Sequence, residues 1–217
     1  MQTFKVLSAL LSYPGPELLA HAGELKSVVA QESLLAPRHQ RALAGFIDEL
    51  AALNPLDTEE RYVALFDRNR SLSLHLYEHV HGESRDRGQA MVQLREIYFL
   101  HGVEIAASEL PDYLPLFLEF LSLLPTKPAA SLLGEAVHVV AALREKLEQR
   151  QSSYAAVMAA VESLAAEPAG RAAIDEALAA LKPEGDALEA LDRQWEEEAV
   201  RFTAAGAPDG TGAGCGR

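Results

Sequence analysis

The stretch Ser71-Leu72-Ser73-Leu74-His75-Leu76-Tyr77-Glu78-His79-Val80-His81 decides how the chain is read. Leu72, Leu74 and Leu76 alternate as in a half-buried strand, whereas Leu72, Leu76 and Val80 repeat every four residues along one helical face. A lone strand cannot satisfy its backbone, and no second strand-like segment offers it a partner. The stretch is therefore assigned to a helix, and the fold class becomes all-α.

The flanking sequence is helical in period. Downstream, Gly82-Glu83-Ser84 is a break with Ser84 as N-cap. Met91, Leu94, Ile97, Tyr98 and His101 then run at helical spacing to Gly102, a C′ residue. In Glu109-Leu110-Pro111-Asp112-Tyr113-Leu114-Pro115, the missing N–H of Pro115 is harmless only in a first helical turn. Asp112 is the expected N-cap there, ahead of Leu116, Phe117, Phe120, Leu121 and Leu124. Upstream, Asp57 with Glu60 three residues on reads as a capping box, and Tyr62, Leu65 and Phe66 follow at i, i+3, i+4. Before that come helices around Phe4–Leu11, from Pro16, and from Pro37 to Asn54-Pro55. Beyond Pro125 and Pro128, helices are expected over 131–150 and 152–166, then a short one at Ile174–Leu181 and a last one at Leu188–Arg201. The expectation is one all-helical domain of about nine helices over residues 1–202, with a disordered glycine-rich tail over 203–217.

The chain has 217 residues, 19 Lys+Arg against 32 Asp+Glu, and a net charge of −13. That acidity argues against general nucleic-acid binding and against anionic membrane surfaces, both of which select positive charge. Residues 1–103 hold ten basic and thirteen acidic groups, so the charge sits mostly in the second half. The single cysteine, Cys215, can form neither an internal disulfide nor a cysteine-based metal site. No apolar run reaches the roughly 18–20 residues that span a bilayer. Val6–Tyr13 and Ala20-His21-Ala22 look like parts of a secretory signal, but Pro14, Pro16 and Glu17 interrupt them. A cytoplasmic protein is expected.

Three polar clusters could carry chemistry. His75, Glu78 and His79 fit H-x-x-E-H, a pattern by which two histidines on one helix face hold zinc and a glutamate acts as general base. A zinc-dependent hydrolase is the alternative function that follows, although three letters without a third ligand are a thin signal. Every cation between 57 and 103 is an arginine, and Arg68, Arg70, Arg85 and Arg87 sit among acids. They are either a solvated face with weak ion pairs or a frame that orients carboxylates. Glu109, Asp112 and Tyr113 beside two prolines are either ordinary capping or an anionic, aromatic lip for a cationic peptide. Phosphate-binding glycine loops and Gly-x-Ser-x-Gly elbows do not occur.

Tyr62–Arg68, Ser71–Met91 and Glu109–Pro115 together closely resemble the NarJ-type nitrate reductase molybdenum cofactor assembly chaperones, a branch of the redox-enzyme maturation proteins. The likeness is strong over about residues 1–125 and loose beyond. It implies an all-α, cytoplasmic, non-catalytic protein without cofactor or metal of its own. Its implied partner is the catalytic subunit of a molybdenum-dependent nitrate reductase, bound at its N-terminal segment and at a second region while the molybdenum cofactor and an iron–sulfur cluster are inserted. In the wider family a Tyr-x-x-Leu-Phe and a Glu-x-Pro-Asp-His motif border the peptide groove. Tyr62, Leu65 and Phe66 match the first. Glu109, Pro111 and Asp112 match the second, with Tyr113 in place of its histidine. The peptide-binding set implied is Tyr62, Leu65, Phe66, Arg70, His75, Leu76, Glu78, His79, Glu83, Glu109, Pro111, Asp112, Tyr113 and Phe117. Physically, Leu65, Phe66, Leu76 and Phe117 would supply apolar pockets in a helix-in-groove mode, and acids would receive the peptide's positive end.

Overall fold

Phe4, Leu7, Leu10 and Leu11 recur at helical spacing and are all buried, so the N-terminal segment Gln2–Leu11 (α1) is an inner helix. The computed structural model describes residues 1–81, 85–105 and 109–181. After α1 come α2 (Pro16–Ala20), α3 (Ala22–Glu32), α4 (Pro37–Ala52) and α5 (Pro55–Tyr62). α6 (Leu76–His81), α7 (Arg85–Leu100), α8 (Leu114–Leu123) and α9 (Thr126–Gln149) follow, then α10 (Ala155–Glu162) and α11 (Arg171–Ala180). The chain is all-α, with eleven α-helices among the described residues rather than about nine. The extra helices include the segment from Pro16, which His21 divides into α2 and α3. These helices belong to a compact unit, Met1–Pro183. The expected last helix, the domain end at 202 and the tail lie outside the described residues.

α1 packs along α8, the most apolar short helix of the unit. Leu114, Leu118 and Leu121 of α8 are fully buried. Ser8 on α1 donates to the Pro115 carbonyl of α8 at 2.7 Å, so the buried hydroxyl is satisfied where the helices touch. α9 is the long central helix, with α10 and α11 against it. Pro115 stands in the first turn of its helix, as its missing N–H requires, and Gly102 takes φ +73 just after α7.

Three local expectations are corrected. Asp57 does not cap: Asn54 is the N-cap of α5 and accepts from the Leu56 N–H at 3.0 Å, with Asp57 in the first turn. An asparagine directly before a proline at N1 is the better cap, because its side chain reaches N2 while Pro55 asks for no partner. Residues 71–75 are not part of an α-helix. A 3₁₀ turn over Arg70–Leu72 ends in extended backbone, and α6 starts only at Leu76. The partner that the alternating leucines lacked in sequence is Tyr113, which forms an isolated antiparallel bridge with His75. The Leu76 N–H donates to the Asp112 carbonyl at 3.0 Å and the Leu114 N–H to the Leu74 carbonyl at 2.8 Å. Leu72, Leu74 and Leu76 are all buried. Lastly, Asp112 is not the N-cap of α8; that position is Tyr113. Ser84 and Glu83 lie outside the described residues.

Candidate functional site

The bridge between His75 and Tyr113 organises the site, because it joins the two polar segments singled out in the sequence. Asp112 is 0% exposed. A buried carboxylate is costly unless hydrogen-bonded on several sides. One oxygen accepts from the Tyr77 N–H at 3.0 Å, and the other faces His75 Nδ1 at 3.3 Å. Arg87 Nη2 stands 3.9 Å away. With its own carbonyl on Leu76, Asp112 thus serves the first two amides of α6. It is a cap, but of a helix 35 residues away in sequence.

The 109–113 segment is tied on its other sides as well. Tyr98 of α7 donates to the Pro111 carbonyl at 2.8 Å. The His75 and Tyr113 rings lie 5.3 Å apart, and the Tyr113 hydroxyl is 3.1 Å from that of Tyr62. Tyr62 also reaches the Leu11 carbonyl at 2.9 Å. A carbonyl only accepts, so the single Tyr62 proton serves Leu11 and Tyr113 is the donor in the tyrosine pair. Burial pushes both phenols above their ordinary pKa, and they stay neutral.

α5 runs into a π-helical turn over Val63–Asp67, with the Arg68 N–H on the Val63 carbonyl at 3.0 Å. Such turns are rare and cluster at functional sites. The Tyr62-x-x-Leu65-Phe66 motif lies on it. Leu65 is half-buried. Phe66 is buried, its ring 5.1 Å from Tyr62 and 5.0 Å from Tyr154, so it packs inward.

The H-x-x-E-H pattern does not make a metal face. His75 precedes α6 on the bridge and faces Asp112, while His79 lies within α6 and its Nε2 is 2.7 Å from the Ser73 carbonyl. Glu78 accepts from Ser73 Oγ at 2.8 Å and pairs with Arg70 at 3.3 Å. Burial works against the Glu78 charge, yet these partners hold its carboxyl below the ordinary range. Among the described residues no three of His, Cys, Asp and Glu come together to hold a metal ion. The helix-face premise of the zinc hydrolase reading is thereby overturned.

His79 carries a pH dependence. It is 5% exposed, and burial lowers its pKa despite the Ser73 carbonyl and Glu78. A depressed folded-state pKa makes the unfolded chain the better proton binder. The stability held by neutral His79 is present above the unfolded value of about 6.5 and is lost as pH falls towards the folded value. In an NMR titration the His79 ring should take up its proton below the ordinary imidazole value of about 6.5. The melting temperature should decline as pH falls below about 6.5, less steeply in His79→Gln.

Next to the bridge, beginning at Leu76 and Tyr77, lies an apolar cleft of about 190 Å³. Leu76 and Val80 of α6, Leu94 and Ile97 of α7, Phe117 of α8, and Leu132 and Ala136 of α9 line it. Leu76 and Phe117 are themselves buried, and Val80 is half open to solvent. Glu135 and His138 line both this cleft and a more polar hollow that includes Glu167. The cleft is smaller than the roughly 300–1,000 Å³ typical of small-molecule sites, and its size suits a few inserted side chains. Sequence reasoning named Arg87 only within the arginine frame, and it did not assign Tyr77 or the α9 residues to the site. Tyr77 was discoverable, being i+2 from His75 in the same motif; α9 carries no local signal for the cleft.

Comparison with known proteins places the chain. Residues 31–160 match the family described as the nitrate reductase delta subunit. The chain is 42% identical over 203 residues to the nitrate reductase molybdenum cofactor assembly chaperone NarJ of Escherichia coli K12, covering 92% of this chain and 84% of that protein. It is 38% identical over 202 residues to the probable chaperone NarW of the same strain, covering 93% and 84%. Against a probable NarJ of Bacillus subtilis it is 32% identical over 166 residues, covering 75% and 89%. These relatives are named as assembly chaperones, not as enzymes. The helical chain built around the His75–Tyr113 bridge therefore belongs to the nitrate reductase delta subunit family, among relatives named as molybdenum cofactor assembly chaperones.

Proposed function

We propose that this chain is a dedicated chaperone of a molybdenum-dependent nitrate reductase. It binds the catalytic subunit, including its N-terminal segment and a second region, and supports molybdenum cofactor and iron–sulfur insertion before membrane assembly. The names of its relatives support the reading. So does one structural observation: an apolar cleft, part open at Val80, sits against a bridge that fixes an aromatic and acidic edge. An amphipathic helix needs that combination, apolar side chains entering the cleft and basic ones meeting the acids. Among the described residues no helix is long and apolar enough to cross a membrane, and we place the chaperone in the cytoplasm, where the catalytic subunit is made.

A synthetic peptide of the N-terminal residues of that subunit tests this. In titration calorimetry at low ionic strength it should bind at low micromolar concentration or tighter. Affinity should fall as salt screens an acidic protein from a basic ligand. Absence of binding at low salt would overturn the proposal.

A further inference from the structure

We infer that Tyr13 and Tyr113, braced by the buried Tyr62 and flanked by Glu59 and Asp67, form a seat for one cationic side chain, a lysine or arginine, of the bound segment. The inference rests on the peptide-binding reading and adds to it a site, a chemistry and an end of the groove. Asp112, the acid of the sequence motif, is fully enclosed and cannot meet a ligand's charge. The negative charge open to a ligand on this edge belongs to other residues.

Tyr13 follows α1 and leaves 52% of its surface in water, unusual for a ring held in place. Its ring meets that of Tyr62 edge-on, with centroids 5.8 Å apart and planes at 81°. Tyr62 is fixed in turn by the Leu11 carbonyl and the Tyr113 hydroxyl. Three phenols from three separate segments thus converge: the turn after α1, the end of α5 and the residue before α8. Glu59 lies one turn before Tyr62 on α5, near enough for its charge to act on Tyr13, and Asp67 lies close enough for its charge to act on all three phenols. Glu109 acts on Tyr113.

Among the described residues neither Glu59 nor Asp67 is in an ion pair, whereas Glu49 pairs with Arg61 and Glu78 with Arg70. Among the described residues the two acids beside the tyrosines thus keep their charge open to a ligand's cation. A phenol ring attracts a cation over its face, and a carboxylate alongside adds charge. The same chain shows the ring chemistry internally, with Arg61 5.6 Å from the Tyr154 centroid. The aromatic rings favour a guanidinium or ammonium over a hydrated metal ion, because ring faces attract a weakly hydrated cation and offer no ligand atoms.

The test uses the full-length protein and the same N-terminal peptide in titration calorimetry. Tyr13→Ala and Asp67→Asn should each weaken binding by roughly three- to tenfold. Asp67→Asn should also flatten the salt dependence. Both side chains are exposed, so the melting temperature of each variant should match the wild type. Replacing the lysines and arginines of the peptide one at a time by glutamine should reveal one position whose loss is not added to that of Tyr13→Ala, the mark of direct coupling. If the wild type binds the peptide and both variants bind it equally well, or if every peptide cation adds independently to Tyr13→Ala, the seat is overturned while the chaperone reading stands. If the wild type itself does not bind, the chaperone reading fails and the seat falls with it.

Discussion

Asp112→Ala should lower the melting temperature by about 4–12 °C at pH 7. The carboxylate is fully buried and serves the Tyr77 amide, His75 and Arg87. Its removal leaves a helix-terminal N–H without a partner, takes a polar partner from the His75 ring and takes the counter-charge from the partly exposed Arg87. Together these cost about 2–3 kcal/mol, less than the loss of a fully buried pair because His75 and Arg87 keep some water. For a chain of this size each kcal/mol moves the midpoint by about 2–4 °C. α6 carries Leu76 and Val80 of the cleft, so peptide affinity should drop along with stability. Asp112→Asn keeps an acceptor for Tyr77 and should lose about half as much. Thermal melts by circular dichroism, paired with calorimetry, check both values. An Asp112→Ala protein with wild-type stability and weakened binding would instead make the residue a direct peptide contact.

Phe66→Ala should cost more, about 3–5 kcal/mol, or roughly 6–20 °C. The ring is 6% exposed and sits between Tyr62 and Tyr154, and Tyr154 continues to Phe46 at 4.7 Å. Truncation would open a hole among rings that cannot collapse onto it. Phe66→Leu keeps much of the apolar volume and should recover most of the stability. It should then bind the peptide like the wild type, since the ring faces inward. A Phe66→Leu variant that melts normally but has lost the peptide would return Phe66 to the groove wall that its motif suggested.

Much of the fold is legible along the chain. Pro16, Pro37 and Pro115 mark first turns, Gly102 marks a helix end, and the apolar faces of α1, α4 and α8 point inward as their spacing demands. Such features are local, and a helix satisfies its own backbone. The site is less legible because it is built from pairings across the chain. Of the leucines at 72, 74 and 76 only Leu74 lies outside a helical turn, and the bridge that follows it pairs His75 with a single residue, Tyr113, too short a partner to show strand character. Asp112 reads correctly as a capping residue and is misplaced only in which helix it caps, because side chains reach across space and sequence spacing counts only neighbours. His75 and His79 share a helix face only while 71–81 is read as one helix; with α6 starting at Leu76 the metal pattern dissolves. The cleft depends on α9, whose apolar positions look like core in any sequence reading.

The central claim is that this chain prepares a nitrate reductase catalytic subunit to receive its molybdenum cofactor. Its most direct test is the molybdenum cofactor content of that subunit, purified from cells with the chain deleted and again after the deletion is complemented. Low cofactor content in the deletion, restored by the wild-type chain and poorly restored by Asp112→Ala, is the result expected. Full cofactor content in the deleted cells would contradict it.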